Sequence, residues 1–229
     1  MANWKNILNK RQQMKNDQNN PAFTRFPSPV QNNINRRSDE EKITAITGHF
    51  REIMEILGLD LTNDSIAKTP YRIAKMYVNE IFSGLKTENF PQLTFMENHY
   101  HEKDKSNIVF LKIHFTSFCE HHFVPMIGYA YVAYLPKKKL IGLSKIPRIV
   151  KFFSKRPQLQ ERLTAQIADS LSMILETEDV AVSITAQHFC VVARGIEDTE
   201  GYTTTNDFRG KFGIESCQRQ EFFEALRKN

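Results

Sequence analysis

The sequence predicts an α+β fold in which helices pack against an antiparallel sheet. Three observations carry this. Segments of helical periodicity come in pairs before and after a first pair of strand patterns, and a last helix closes the chain. The strand patterns also come in pairs, after each helix pair, so helices and strands do not alternate one by one as a parallel sheet requires. Composition agrees: 229 residues with 41% hydrophobic and 25% charged content are ordinary for a globular chain with a sizeable core.

The elements follow in order. Ser38 and Glu41 make a capping box, in which each side chain satisfies a free backbone donor of the other. Ile43, Ile46, Phe50, Ile53, Met54 and Leu57 then recur at helical spacing up to a stop at Gly58. A second helix is predicted with Thr69 as cap and Pro70 as first helical residue, running through YRIAKMYVNEIFS to Gly84. From Asn107 the period changes to two: IVFLKIHFTSF and, after a polar CEHH segment, GYAYVAYLP read as strands. SKIPRIVKFFSKR and PQLQERLTAQIADSLSMILE read as helices, the second with Leu159, Leu163, Ile167, Leu171 and Ile174 on one face. DVAVSITAQHFCVVAR and GYTTTNDF are again strand patterns, and ESCQRQEFFEALRK a closing helix.

Charge and composition narrow the function classes. The chain is +5 overall, but residues 1–37 carry +6 and the remainder −1. The basic character therefore belongs to an Asn/Gln/Lys-rich arm, expected to be flexible, and not to a folded face suited to nucleic acid. No apolar run approaches the ~18 residues needed to span a bilayer, and the N-terminus lacks an apolar signal core, so a cytoplasmic protein without membrane attachment is expected. Three cysteines are too few for a disulfide framework and read first as ligands or nucleophiles.

Cys119-Glu120-His121-His122 is the most informative quartet. A Cys and a His three apart face one point if the chain turns between them. Far downstream, His188 and Cys190 lie two apart in a strand pattern and would share a face. Cys119, His122 and Cys190 would give zinc two thiolates and one imidazole, leaving a fourth position open as in catalytic sites. By spacing alone, a metal site and a set of buried Cys and His residues stand side by side. Cys217, in the closing helix without ligand-type neighbours, reads as a buried or incidental thiol. His49 and His114 fall among core-pattern residues; His99 and His101 form either an H-x-H pair or part of a solvated loop.

Arg72 and Lys75 share a helix face, and Lys145 and Arg148 repeat the spacing behind Ser144, a candidate cap. Two such pairs could clamp a polyphosphate, or could be solvated faces. No G-x-x-x-x-G-K-[ST] occurs, which excludes a P-loop. Gln160 and Glu161 open the long helix. A carboxylate there could accept two donors from guanine, or could simply suit the helix dipole.

CEHHFVPMIGYAYVAYLP, IGLSKIPRIVKFFSKRPQLQERLTAQIA, AVSITAQHFCVVARGI and TPYRIAKMYVNEIFSGL together resemble the signature stretches of the GTP cyclohydrolase I family, from about Ser38 onward. The resemblance implies a tunnelling fold (T-fold) that assembles into a toroidal homodecamer, with active sites between subunits. It divides the chain into an arm (1–37), a helical region (38–106) and a catalytic T-fold domain (107–229). It implies conversion of GTP and water to formate and 7,8-dihydroneopterin triphosphate, with Cys119, His122 and Cys190 as zinc ligands. His188 would protonate the purine ring, and His121 would serve later proton transfers. Glu161 would anchor guanine with Gln160 beside it. Arg72, Lys75, Lys145, Arg148, Arg194 and Ser144 would contact the triphosphate or ribose end.

Three rivals are weighed. A nitrile reductase of the same fold would use a lone nucleophilic Cys, unlike the paired CEHH and HFC pattern. A non-catalytic, zinc-stabilised nucleotide-binding module would unfold on losing Cys119. Nucleic-acid binding would depend on the arm before Ser38.

Overall fold

The computed structural model describes residues 28–30, 37–99 and 108–228. Nearly all of the expected arm, His101 and the 106/107 boundary lie outside them. Helix α1 (Asp39–Ile56) opens on the capping box: Glu41 N donates to Ser38 Oγ (3.2 Å) and Ser38 N to Glu41 Oε2 (2.6 Å). It closes as the sequence indicates, with Gly58 at φ +78°, Gly58 N donating to Glu55 O (2.9 Å) and Leu59 N to Met54 O (3.0 Å). Only glycine takes that left-handed turn without steric cost. Its expected core stripe is only partly covered, however: Met54 is buried, whereas Ile53 and Leu57 are 46% and 71% exposed.

Helix α2 (Thr69–Met76) starts one residue earlier than expected. Lys68 occupies the cap position without a side-chain bond, and Thr69 is already helical. The helix then loosens into a π turn (Tyr77–Ile81) and a 3-10 turn (Ser83–Leu85). Gly84 is pressed against the end of the third helix, α3 (Lys145–Ser154); a Cβ there would collide with the Phe152 carbonyl. Gly84 N donates to Lys155 O (2.8 Å), and Arg156 Nε donates to Gly84 O (2.8 Å). Pro147 lies in the first turn of α3, where its missing N–H leaves no intrahelical bond unmade.

The main sheet contains β2 (Val109–Cys119), β3 (Pro125–Tyr134), β5 (Pro157–Gln158), β6 (Val180–His188) and β7 (Thr203–Phe208), in the order β5-β2-β3-β6-β7. A separate two-stranded ribbon joins β1 (Phe95–Glu97) to β4 (Lys139–Ile141). All pairings are antiparallel except β5 with β2, which is parallel, so the sheet is mixed at one edge rather than purely antiparallel. One face of the sheet is covered by α3 and α4 (Gln160–Leu175). Ile146, Ile149, Phe153, Leu163, Ile167 and Leu171 meet Ile113, Phe115, Met126 and Ile184 there. Part of the other face is closed by α6 (Lys211–Ile214) and α7 (Ser216–Lys228), through Phe212 and Phe222 against Ala133, Ala181 and Phe110. Strand periodicity leaves the rest of that face open, and His114 stands on it in edge contact with the Tyr129 ring. His49 is exposed on α1, so neither histidine belongs to the core as its neighbours suggested.

Register decides what meets at the end of the sheet. Phe118 opposes Pro125, Met126 opposes His188, and Cys119 stands beside Gln158. The last residue of β2, the first of β3, the end of β6 and the entry to α4 therefore converge.

Candidate metal and nucleotide site

The CEHH quartet is a tight turn between β2 and β3. Cys119 N donates to Val124 O (2.9 Å) and Phe123 N to Cys119 O (2.9 Å), which swings His122 back over Cys119. Cys119 Sγ lies 4.0 Å from His122 Nδ1. Phe123 leaves the turn at φ +54°, a left-handed conformation that costs a bulky residue about 1–2 kcal/mol. The rings of Tyr77 and Phe82, 6.2 and 5.0 Å away, hold it there, tying the helical region to the turn. Sequence reading passed over Phe123, because nothing in its composition signals a left-handed backbone.

Strand β6 ends at His188, and Phe189–Val192 is a helical turn, α5. His188 and Cys190 thus do not share a strand face. The turn separates them: Cys190 joins Cys119 and His122, whose ligand atoms all lie within 4.8 Å of one another, while His188 faces Gln160. Burial pushes the Cys190 thiol up, and Cys119 beside it adds to the shift. Two thiols and an imidazole at this spacing suit a divalent cation, which would hold both sulfurs as thiolates. Among the described residues no fourth His, Cys, Asp or Glu completes the group, and Cys217 is exposed on α7, not buried.

Gln160 is 2% exposed, and its amide is fully engaged. Nε2 donates to the carbonyls of Ile184 (3.0 Å) and Thr203 (2.9 Å) and lies 3.2 Å from Thr205 Oγ1. Carbonyls only accept, so this fixes Oε1 towards His188, whose Nε2 lies 2.7 Å away and must carry the hydrogen. Burial lowers the pKa of His188, with the Glu161 charge acting in the opposite sense. Glu161 itself is exposed on the first turn of α4.

His121 is largely exposed, with its ring edge-on to His122. Arg194 Nη1 lies 2.8 Å from His122 Nε2, which puts this cation at the rim of the Cys/His group. The clamp residues are placed differently. Arg72 and Lys75 are exposed on α2; Lys145 is half-buried and Arg148 exposed on α3. Ser144 holds the α3 cap position but its side chain makes no capping bond. Among the described residues, no hydrogen bond or ion pair joins the two basic pairs to each other or to the Cys/His group. Arg162, which the sequence reading did not single out, forms a bidentate pair with Glu120. Its signal was weak: a cation in the first turn of a helix opposes the dipole, which an acid elsewhere can offset.

Residues 46–227 match the family GTP cyclohydrolase I. The chain belongs to the GTP cyclohydrolase I family. It is 54% identical to the GTP cyclohydrolase 1 of Aeromonas salmonicida over 86% of this chain and 88% of that protein. It is 52% identical to the GTP cyclohydrolase 1 of Erwinia tasmaniensis (87% and 90% covered) and 50% identical to that of Salmonella arizonae (87% and 89%). The GTP cyclohydrolase I match spans the metal turn, the Gln160–His188 contact and both basic pairs.

Proposed function

We propose that this chain hydrolyses GTP at the guanine imidazole ring, releasing formate and forming 7,8-dihydroneopterin triphosphate, the first step of pterin and folate biosynthesis. The observation that carries the reading is the open three-donor group of Cys119, His122 and Cys190 beside a histidine held by Gln160. The naming of the relatives as GTP cyclohydrolase 1 supports this reaction.

The donor set fits Zn2+. Bound there, zinc would act as a Lewis acid that lowers the pKa of water towards neutrality. His188 donates a proton to the imidazole ring of the substrate as its carbon–nitrogen bond opens. With Nε2–H tied to Gln160 Oε1, Nδ1 is the nitrogen left to exchange that proton. Gln160 therefore works through His188, and Glu161 alone accepts the ring N–H and amino donors of guanine. His121, exposed beside the ligand turn, serves the later proton transfers. Arg72, Lys75, Lys145, Arg148 and Arg194, with Ser144, hold the triphosphate and ribose end.

The exposure of Arg72, Lys75, Arg148 and Arg194 leaves room for a site completed between subunits of a T-fold homodecamer; in this reading residues 1–37 are an arm, 38–106 a helical region and 107–229 the catalytic domain. No described helix is long and apolar enough to cross a membrane. On this proposal the chain works in the cytoplasm on a small nucleotide, with neither membrane nor nucleic acid as partner. The test is formate and pterin production from GTP before and after chelation and zinc return. Zinc-restored turnover that His188→Ala abolishes supports the reading. A folded, zinc-loaded oligomer that yields no product overturns it in favour of a nucleotide-binding module.

A further inference from the structure

The ligand turn and the start of α4 are joined by one side-chain contact that the reaction scheme above does not use. Glu120 sits between the ligands Cys119 and His122, and its backbone N donates to Gln158 O (3.0 Å) at the β2–β5 pairing. Its carboxylate receives both terminal nitrogens of Arg162: Nη1 meets Oε2, and Nη2 lies 3.4 Å from Oε1. The two side chains are only 17% and 16% exposed. Arg162 follows Gln160 and Glu161 directly, in the first turn of α4. One fork thus connects the turn that carries two metal donors to the turn that carries the base anchor and the residue holding His188.

We infer that Glu120 and Arg162 are a positioning pair that sets the metal-ligand turn against the start of α4, and so governs metal retention and substrate alignment together. The inference rests on the zinc-dependent reading above. Its physical basis is the rigidity of the contact. A guanidinium meets a carboxylate through two parallel bonds in one plane, which defines orientation as well as distance. A half-buried carboxylate that loses this partner must move to find water, and it takes Cys119 and His122 with it. His121 Nε2, 3.9 Å from Glu120 Oε1, is carried on the same turn. Groups hydrogen-bonded directly to a metal ligand typically govern affinity or activity about 10–100-fold, which sets the upper bound for a pair that acts through the backbone of the ligand turn.

The test compares full-length wild type with Arg162→Met, Arg162→Lys, Glu120→Gln and the Glu120→Gln/Arg162→Met double variant. Zinc affinity is read by competition with a chromophoric chelator, kcat and KM with GTP, and folding by melting temperature and oligomer mass. Arg162→Met should weaken zinc binding and lower kcat, each by up to about 10–100-fold, in a protein of unchanged oligomer mass. Arg162→Lys, with charge but no fork, should fall between it and wild type. The double variant should be no worse than Arg162→Met, because both substitutions break one contact. Wild-type zinc affinity and kcat in folded Arg162→Met would overturn the inference, as would fully additive losses in the double variant. If Arg162→Met does not fold, Arg162→Lys and Glu120→Gln carry the same comparison. A wild type that binds zinc but leaves GTP intact would refute the proposed reaction, while the zinc-affinity arm would still decide the role of the pair.

Discussion

The two ends of the site are built differently. At the metal end, Cys119, His122 and Cys190 come from two segments about 70 residues apart, yet their donor atoms lie within 4.8 Å. Sheet register brings them together, and hydrogen bonds hold their neighbours Gln160 and Glu120 in place. At the phosphate end, Arg72 and Lys75 on α2 and Arg148 on α3 are exposed, with no ion-pair partners among the described residues. A metal site needs its donors gathered around one point, whereas phosphate-binding side chains can stay hydrated until an anion arrives. On the proposed function, a single folded chain already brings the metal donors together, whereas the exposed basic pairs would be ordered by substrate or by a neighbouring subunit.

The largest effect should come from breaking the metal end. Cys190→Ser removes one thiolate from a set of three donors, and formate production should fall below detection while the chain stays folded, since Cys190 is only half-buried. Circular dichroism and chelator competition check this; retained zinc affinity would mean that another residue completes the group. His188→Ala comes next, with kcat reduced about 10²–10⁴-fold and zinc affinity little changed. A loss of zinc in that variant would erase the distinction between ligand and acid drawn by the helical turn after β6. Gln160→Met separates holding from binding. It deprives two carbonyls of a donor, so stability should fall by about 1–3 kcal/mol, read by chemical denaturation. KM for GTP should move less than kcat, and a selective rise in KM would restore Gln160 to the base contact.

At the phosphate end, Arg148→Ala and Arg72→Ala should raise KM for GTP and leave stability within about 0.5 kcal/mol. A clear drop in melting temperature would show that these cations already have structural partners in the assembly. The smallest effect is expected far from both ends. Ser38→Ala removes the cap of α1 and should cost about 1 kcal/mol in a denaturant titration, with kcat and KM unchanged. Altered kinetics there would show that α1 takes part in the site.

Much of this was legible in the residues. The Ser38/Glu41 box, Gly58 and the apolar stripe of α4 are local codes, set by hydrogen-bonding groups and periodicity within a few positions. The Cys119–His122 spacing likewise implies a turn that faces both side chains one way. Other features were not legible, because they depend on what packs from elsewhere. The apolar stripe of α1 gave no sign that Ile53 and Leu57 would stay exposed, and β5 is too short to have a pattern. The strand pattern ran on through Cys190, but the chain leaves the sheet at His188.

The donor types, the helical periodicities, the Ser38/Glu41 cap and the alternating strands could be read from the residues alone, since each follows from the chemistry of near neighbours. Only the tertiary structure decided that Gln160 is committed to His188, that Arg162 answers Glu120, and that Phe123 is held left-handed against Tyr77 and Phe82. Those contacts join residues 28 to 46 positions apart, and their energy is realised only once sheet register and helix packing have excluded water from between them.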